Sequence, residues 1–329
     1  MYLNIFCLSG HNIIEILCLE EIMIQTLIVV FLIFFIFLIS KLFNEGFVRG
    51  EVFDATKLKV KPGSKSGMFL NELNDGINYI NSHNMTWLYI TSFDGLKLAA
   101  RFFNNADPKK LVILFHGYRS IAENDFATQF KMYYELGYNI LLIDQRSHGR
   151  SEGRYITFGI KERYDCVYWC EYMSENYPEI EEIILNGISM GATTILLASE
   201  FNLPSKVKGI VADCGFTSPK DIISKVMISR YGISPELLLP IVNIFCIIFG
   251  KFNIYECSVK SALSKNKLPV LFIHGTSDDF IPSRMSRENF NDCISKKKIV
   301  LVECVNHGLA FLKDKARVSN EIKNFLAGI

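Results

Sequence analysis

Three side chains in the C-terminal half have the types and order needed for acyl transfer: Ser189, Asp278 and His307. The serine lies in Gly187-Ile188-Ser189-Met190-Gly191, which follows an apolar run and precedes a small-residue segment able to form a helix. Strand, G-x-S-x-G, helix is the context in which this motif forms a sharp turn that exposes a nucleophilic hydroxyl. The turn strains the serine backbone, and a side chain at either flanking glycine would crowd it. Ser189 would stand at a helix start, where free amides and the helix dipole favour developing negative charge. A serine that only caps a helix after a glycine turn would look similar. The downstream partners favour the nucleophile.

Those partners sit in the loops after two later apolar runs. HGTSDDFIP, residues 274–282, supplies an acid, and VNHG, residues 305–308, supplies a histidine. His307 would take the Ser189 proton during attack and return it to the leaving group. Asp278 would orient the imidazole and stabilise its charged form. Asp279 is the adjacent rival. Upstream, LVILF runs into His116-Gly117-Tyr118. A glycine there lets the chain bend so that the next amides face the site. The backbone N–H groups of Tyr118 and Met190 are therefore the expected oxyanion donors, and loss of one such donor costs about 3–4 kcal/mol of transition-state stabilisation. His116 reads as structural. So does the polar loop 144–151, DQRSHGRS, whose side chains suit turn hydrogen bonds and an Asp–Arg pair.

The elements that must position these residues read as an α/β alternation. A continuous apolar run at 111–115 and largely apolar runs at 139–143, from 183, and at 207–212, 268–273 and 299–303 have the pattern of buried parallel strands. Helical stripes lie between several of them, at 122–136 and 159–177, and another lies ahead at 67–82. Residues 87–92 and 96–103 flank Asp94-Gly95 as a hairpin. The alternation breaks at 219–252, where helical segments follow one another without a strand. There Ser234-Pro235 is a helix start, and the helix it opens is apolar almost all round, carries Pro240 and is too short to cross a bilayer. We read a small helical lid over about residues 217–262, fitting an apolar acyl group or a membrane-borne substrate.

From about Thr86 to Ile329 the chain resembles α/β-hydrolase-fold proteins of the serine-hydrolase kind. More narrowly, it is similar to bacterial membrane-anchored hydrolases of the serine aminopeptidase-like and esterase/lipase-like groups. LFHGY, DQRSHGRS, NGISMGA, HGTSDDFIP and NHG carry the resemblance, in order. It implies a mostly parallel sheet flanked by helices, Ser189, Asp278 and His307 as triad, Tyr118 and Met190 as oxyanion donors, and no cofactor or metal. Ile188 replaces the histidine common before the nucleophile of true lipases, and Ala192 interrupts the glycine run of proline-releasing peptidases. The expected reaction is hydrolysis of a carboxylic ester or thioester. A peptidase or amidase is the alternative, and a non-catalytic lipid-binding protein on the same fold is a third reading.

The chain has 329 residues with 35 basic and 34 acidic side chains, a balance that argues against a nucleic-acid partner. Nine cysteines without metal-like spacing read as free thiols in a reducing compartment. Residues 22–40 are uncharged and almost wholly apolar, long enough to span a bilayer. Lys41-Leu42-Phe43 follows with no small-residue cleavage site, so the segment reads as an uncleaved, single-pass anchor. Lys41, Arg49, Lys57, Lys59, Lys61 and Lys65 follow it and no Lys or Arg precedes it, so the positive-inside rule alone points to a cytoplasmic main domain, with an extracytoplasmic one as the alternative. Residues 41–66 read as a linker and 67–329 as the hydrolase domain. Residues 1–21 read as an extension of uncertain status. Glu20-Glu21 just before Met23 would be encoded by purine-rich codons like a ribosome-binding sequence, so in a bacterial source Met23 is an alternative start.

Overall fold

In the computed structural model, residues 3–50, 65–232 and 234–329 are described, with side chains at residue 15 and, among these, from residue 17 onward except at 65 and 66. The chain divides into two units, Met1–Gly46 and Phe47–Ile329. The described residues of the first belong to helix α1 (Leu3–Phe47). Its segment Leu17–Phe47 has a mean hydropathy of 3.1 over its most apolar 18 residues, long and apolar enough to cross a membrane. The helix runs on beyond residue 40 because nothing in 41–47 breaks it: there is no proline, and Gly46 comes only at its end. The segment expected to be an irregular linker, 41–66, is thus helical in its first part. Residues 51–64 of it lie outside the described residues.

The second unit is built on one eight-stranded sheet. Its strands are β1 (Thr86–Thr91), β2 (Lys97–Phe103), β3 (Lys110–Phe115), β4 (Asn139–Asp144), β5 (Glu182–Ile188), β6 (Val207–Asp213), β7 (Val270–Gly275) and β8 (Lys297–Val302). Their spatial order is β1-β2-β4-β3-β5-β6-β7-β8. The β1–β2 and β2–β4 pairs are antiparallel, and all other pairs are parallel. The helices are α2 (Leu70–Asn81), α3 (Ala122–Glu135), α4 (Glu162–Asn176), α5 (Met190–Ala198), α6 (Pro219–Tyr231), α7 (Pro235–Phe245), α8 (Val259–Leu263), α9 (Ser283–Asp292), α10 (Ala310–Lys313) and α11 (Lys315–Leu326).

Alternation along the strands explains why the runs are apolar at every position. Leu111, Ile113 and Phe115 face a core formed with Cys166, Trp169 and Met173 of α4 and with Ala192 and 195–198 of α5. Val112 and Leu114 face the opposite core, with Phe126, Phe130 and Tyr133 of α3 and Phe311, Val318 and Ile322 near the C-terminus. With both faces of β3 covered, no position of Leu111–Phe115 is left for a polar residue. Every described cysteine is a free thiol, and Cys166 and Cys170 are buried on one face of α4.

Two local features differ from the sequence reading. Val48 forms an antiparallel bridge with Tyr155, the Ile156 amide donates to the Phe47 carbonyl at 2.7 Å, and the Arg49 amide donates to the Arg154 carbonyl at 2.7 Å. Arg49 also donates to the Ser151 carbonyl at 2.7 Å and the Gly149 carbonyl at 2.5 Å. Residues 47–49 are thus a strap paired to the domain. Between β6 and β7, helices α6 and α7 and a π-helical turn (Cys246–Gly250) follow one another. However, α8, inside the stretch read as a lid, belongs to the body: Val259, Ala262 and Leu263 are fully buried in the core that includes α5.

Candidate active site

The polar residues singled out in the sequence gather beyond the carboxyl ends of the parallel strands, where ligands bind in open α/β sheets. Tyr118 follows β3, Ser189 follows β5, Asp278 follows β7 and His307 follows β8. Ser189 adopts φ 57°, ψ −115°, a sparsely populated conformation that costs a non-glycine residue on the order of 1–3 kcal/mol. The chain holds it there from both sides. Its amide donates to the Asp213 carbonyl at 2.8 Å, and its carbonyl accepts from Thr193 at 3.0 Å. A Cβ on Gly191 would land on the Phe115 carbonyl, and one on Gly187 would land on the backbone of Gly191. Both glycines are therefore needed for close packing of the turn against β3 and α5.

His307 Nε2 stands 2.9 Å from Ser189 Oγ, and His307 Nδ1 stands 2.7 Å from Asp278 Oδ2. The carboxylate can only accept, so Nδ1 carries the proton and Nε2 accepts from the serine hydroxyl. Asp278 is surrounded by donors. Oδ1 accepts from the Phe280 amide at 2.9 Å and the Ile281 amide at 2.8 Å, and Oδ2 also meets His274 Nε2 at 3.1 Å. Burial pushes this carboxyl up, but the hydrogen bonds from His274 and His307 and the charge of His307 outweigh it and hold Asp278 well below the usual carboxylate range. His274 is fixed in turn. Its Nε2 lies 2.9 Å from the Ile281 carbonyl, which can only accept, and its Nδ1 lies 2.7 Å from Ser286 Oγ. Asp279 is exposed, and its backbone carbonyl accepts from Lys225 at 2.6 Å.

Met190 opens α5, whose first amides have no acceptor within the helix. The Gly117 amide is engaged by Asp125 Oδ2 at 2.7 Å, and Asp125 Oδ1 accepts from Ser120 Oγ at 2.7 Å. This fixes the turn that carries Tyr118. The Tyr118 ring stacks on Phe158 at 5.2 Å, and Phe158 meets Phe47 edge to face at 5.4 Å. Asp125, Phe158 and the strap behind them had no sequence signature, because each acts through a contact distant in the chain.

His116 and His148 lie outside the site chemistry. Burial pushes His116 down to about 4 and His148 down to about 3, so both are neutral. The Gln145 amide donates to His116 Nε2 at 3.2 Å and the Arg119 amide to His148 Nε2 at 3.0 Å. In the polar loop, Arg146 pairs with Asp165 at 2.6 Å and with Asp94 at 3.0 Å, while Asp144 pairs with Arg101 at 3.0 Å. These bonds tie the loop to α4, to the hairpin turn and to β2.

A cavity of about 440 Å³ opens beside Ser189 and His307. Its apolar wall is Leu73, Ile188, Phe280, Leu309 and Leu312, and its polar end is Ser120, Asn124 and Asp125. The lining includes Tyr118 but no residue of 217–262, so the expected lid does not form this wall. Behind Ser189, ligand atoms of Cys214, Asp278 and His307 all lie within 4.8 Å of one another. Burial, with the nearby Asp213 and Asp278, pushes the Cys214 thiol well up, and the other two groups are already bonded to each other.

The chain is similar to several known proteins. The family described as serine aminopeptidase, S33, matches residues 106–237. YqkD of Bacillus subtilis (strain 168) is 25% identical over 280 residues, covering 84% of this chain and 92% of its own length. The Schizosaccharomyces pombe protein bem46 is 29% identical over 168 residues, half of each chain. Among solved structures, the Pyrococcus furiosus esterase Pf2001 superposes with a TM-score of 0.61 at 24% identity, covering 76% of this chain and 94% of that one. The acylaminoacyl peptidase of Pyrococcus horikoshii superposes at 0.55 with 16% identity, covering 80% and 43%.

Proposed function

We propose that this protein, which has the α/β-hydrolase fold, is a membrane-anchored serine hydrolase that cleaves a carboxylic ester or thioester through an acyl-enzyme. The observation that carries the reading is the continuous hydrogen-bond line from Ser189 Oγ through His307 to Asp278. In this mechanism Ser189 Oγ attacks the acyl carbonyl as His307 Nε2 takes its proton. The oxyanion rests on the amides of Tyr118 and Met190. Collapse expels the alcohol or thiol, which receives the proton from His307, and leaves the acyl group on Ser189. Water repeats the sequence in reverse roles and frees the acid. Asp278, ionised throughout, keeps the imidazole in the required tautomer and balances its transient charge.

The family match and the peptidase neighbour support a second reading, hydrolysis of an amide or peptide. The cavity favours the ester. An aminopeptidase must bind a substrate ammonium, and the cavity's carboxylate, Asp125, is already engaged by the Gly117 amide and Ser120. The remaining wall is apolar and suits an acyl chain. The apolar helix Leu17–Phe47 supports attachment as a single-pass anchor, and the basic residues after it favour a cytoplasmic catalytic domain.

The test is labelling of the detergent-solubilised full chain with a fluorophosphonate, followed by turnover of matched esters and amides. Wild type is expected to label and to prefer the ester, and Ser189→Ala to lose both label and turnover while keeping its melting profile. Equal turnover of the amide would move the assignment to a peptidase. A folded wild type that does not label would favour a non-catalytic lipid-binding protein.

A further inference from the structure

Helix α7 and the π-helical turn that continues it are apolar on two opposite faces. Leu238, Leu239, Val242 and Cys246 face the body and are buried. On the other side Leu237, Ile244, Ile247, Ile248 and Phe249 are 46–71% exposed. Pro240 is also exposed and Ile241 partly so, which makes one unbroken stripe at helical spacing. Single exposed apolar residues need no explanation, but a contiguous patch of large ones marks a surface that something covers.

Two observations identify what covers it. The helix Leu17–Phe47 is apolar enough to cross a bilayer, and the chain passes from it into the domain at Phe47. The Phe47 ring lies 5.7 Å from Phe252, two residues beyond the end of the π-helical turn. The patch therefore ends beside the point at which the chain enters the domain. Its flanks suit a lipid surface as well. Arg230 and Lys251 bracket the stripe and are exposed, with Glu236 the single acid between them in the sequence. Basic residues beside a half-buried apolar helix fit the headgroup layer of an anionic membrane.

We propose that the outer face of α7 and its π-helical continuation lies in the interfacial layer of the bilayer, a second membrane contact separate from the anchor. It rests on reading Leu17–Phe47 as an anchor. Helix α6, immediately before it, carries Lys225, which bonds the Asp279 carbonyl and lies over the Phe280 ring at 5.6 Å. The seated face thus connects through one helix to the cavity wall.

To test this, the full chain is reconstituted in phosphatidylcholine–phosphatidylglycerol vesicles that include a phosphatidylcholine with a photoreactive acyl tail, illuminated and mapped by peptide. Label is expected in 17–47 and also in 235–250, with the second lowered severalfold in Ile248→Ser/Phe249→Ser while the first is unchanged. Label in 17–47 alone would overturn the proposal and leave the anchor standing. Label in neither would remove both. Undiminished label in the double variant would overturn the assignment to this face. Cross-linking of 235–250 between chains, without lipid label, would give the face to a second copy.

Discussion

At His307 the two ring nitrogens have different partners, and that asymmetry makes the acid identifiable. Asp278 holds Nδ1–H, whereas Asp279 is turned to the surface. Asp278→Asn is expected to lower turnover about 10³–10⁴-fold by permitting the wrong tautomer, and Asp279→Asn to change it less than about threefold. Steady-state kinetics of the two variants decides. A less visible carboxylate lies at the end of β6. Burial pushes Asp213 up to about 6, His274 and His307 pull it down, and Asp278 pushes it up again. Its Oδ1 has no hydrogen-bond partner among the described residues. An unfolded aspartate titrates near 3.9, so between roughly pH 4 and 6 the folded chain binds the extra proton. The fold is favoured at the acid end of that window and loses this stability as pH rises through 6. Asp213→Asn removes the buried charge. It is expected to stabilise the protein at pH 8 by about 2–3 kcal/mol, a gain that vanishes near pH 4, and thermal melts at both values test it.

The element that matters most is the β5–α5 turn, because it fixes Ser189 against both β3 and β6. Gly191→Ala drives a methyl group onto the Phe115 carbonyl and is expected to cost about 3 kcal/mol or more. Gly95→Ala, at φ 85° with open space around it, should cost only about 1–2 kcal/mol. Denaturant melts of the two separate packing from backbone strain. Elements of this kind were legible in the sequence because their signals are local: apolar runs gave the strands, and glycines gave the turn. The Asp94-Gly95 hairpin and the Ser234-Pro235 helix start were read the same way. What was not legible depends on distant partners. Nothing in Phe47-Val48-Arg49 announces pairing with Arg154–Ile156, and nothing in Val259–Leu263 distinguishes a body helix from a lid helix. The serine, acid and histidine of the candidate site were named from order and loop position. Asp125, which shapes the Tyr118 turn, and Leu73, which walls the cavity from α2, are brought in only by packing.

Over the whole molecule, the sheet collects residues from positions 118 to 307 at one edge, so chemistry spread across the sequence shares a single mouth. The matched family segment, 106–237, includes Ser189 but ends before Asp278 and His307, which come with the last two strands. One consequence follows for making a water-soluble form by trimming the apolar N-terminal segment. Phe47 touches Phe158, Phe158 stacks on Tyr118, and Arg119 donates to the Val48 carbonyl at 2.9 Å. A cut just ahead of Phe47 leaves that buttress in place. A cut at the start of the next helix, past residue 64, removes the Val48 bridge and two of these contacts, Phe47 on Phe158 and Val48 on Arg119, behind the turn that carries Tyr118. The safe trimming boundary therefore lies within the last turns of the helix itself, between the end of its apolar run at residue 40 and Phe47.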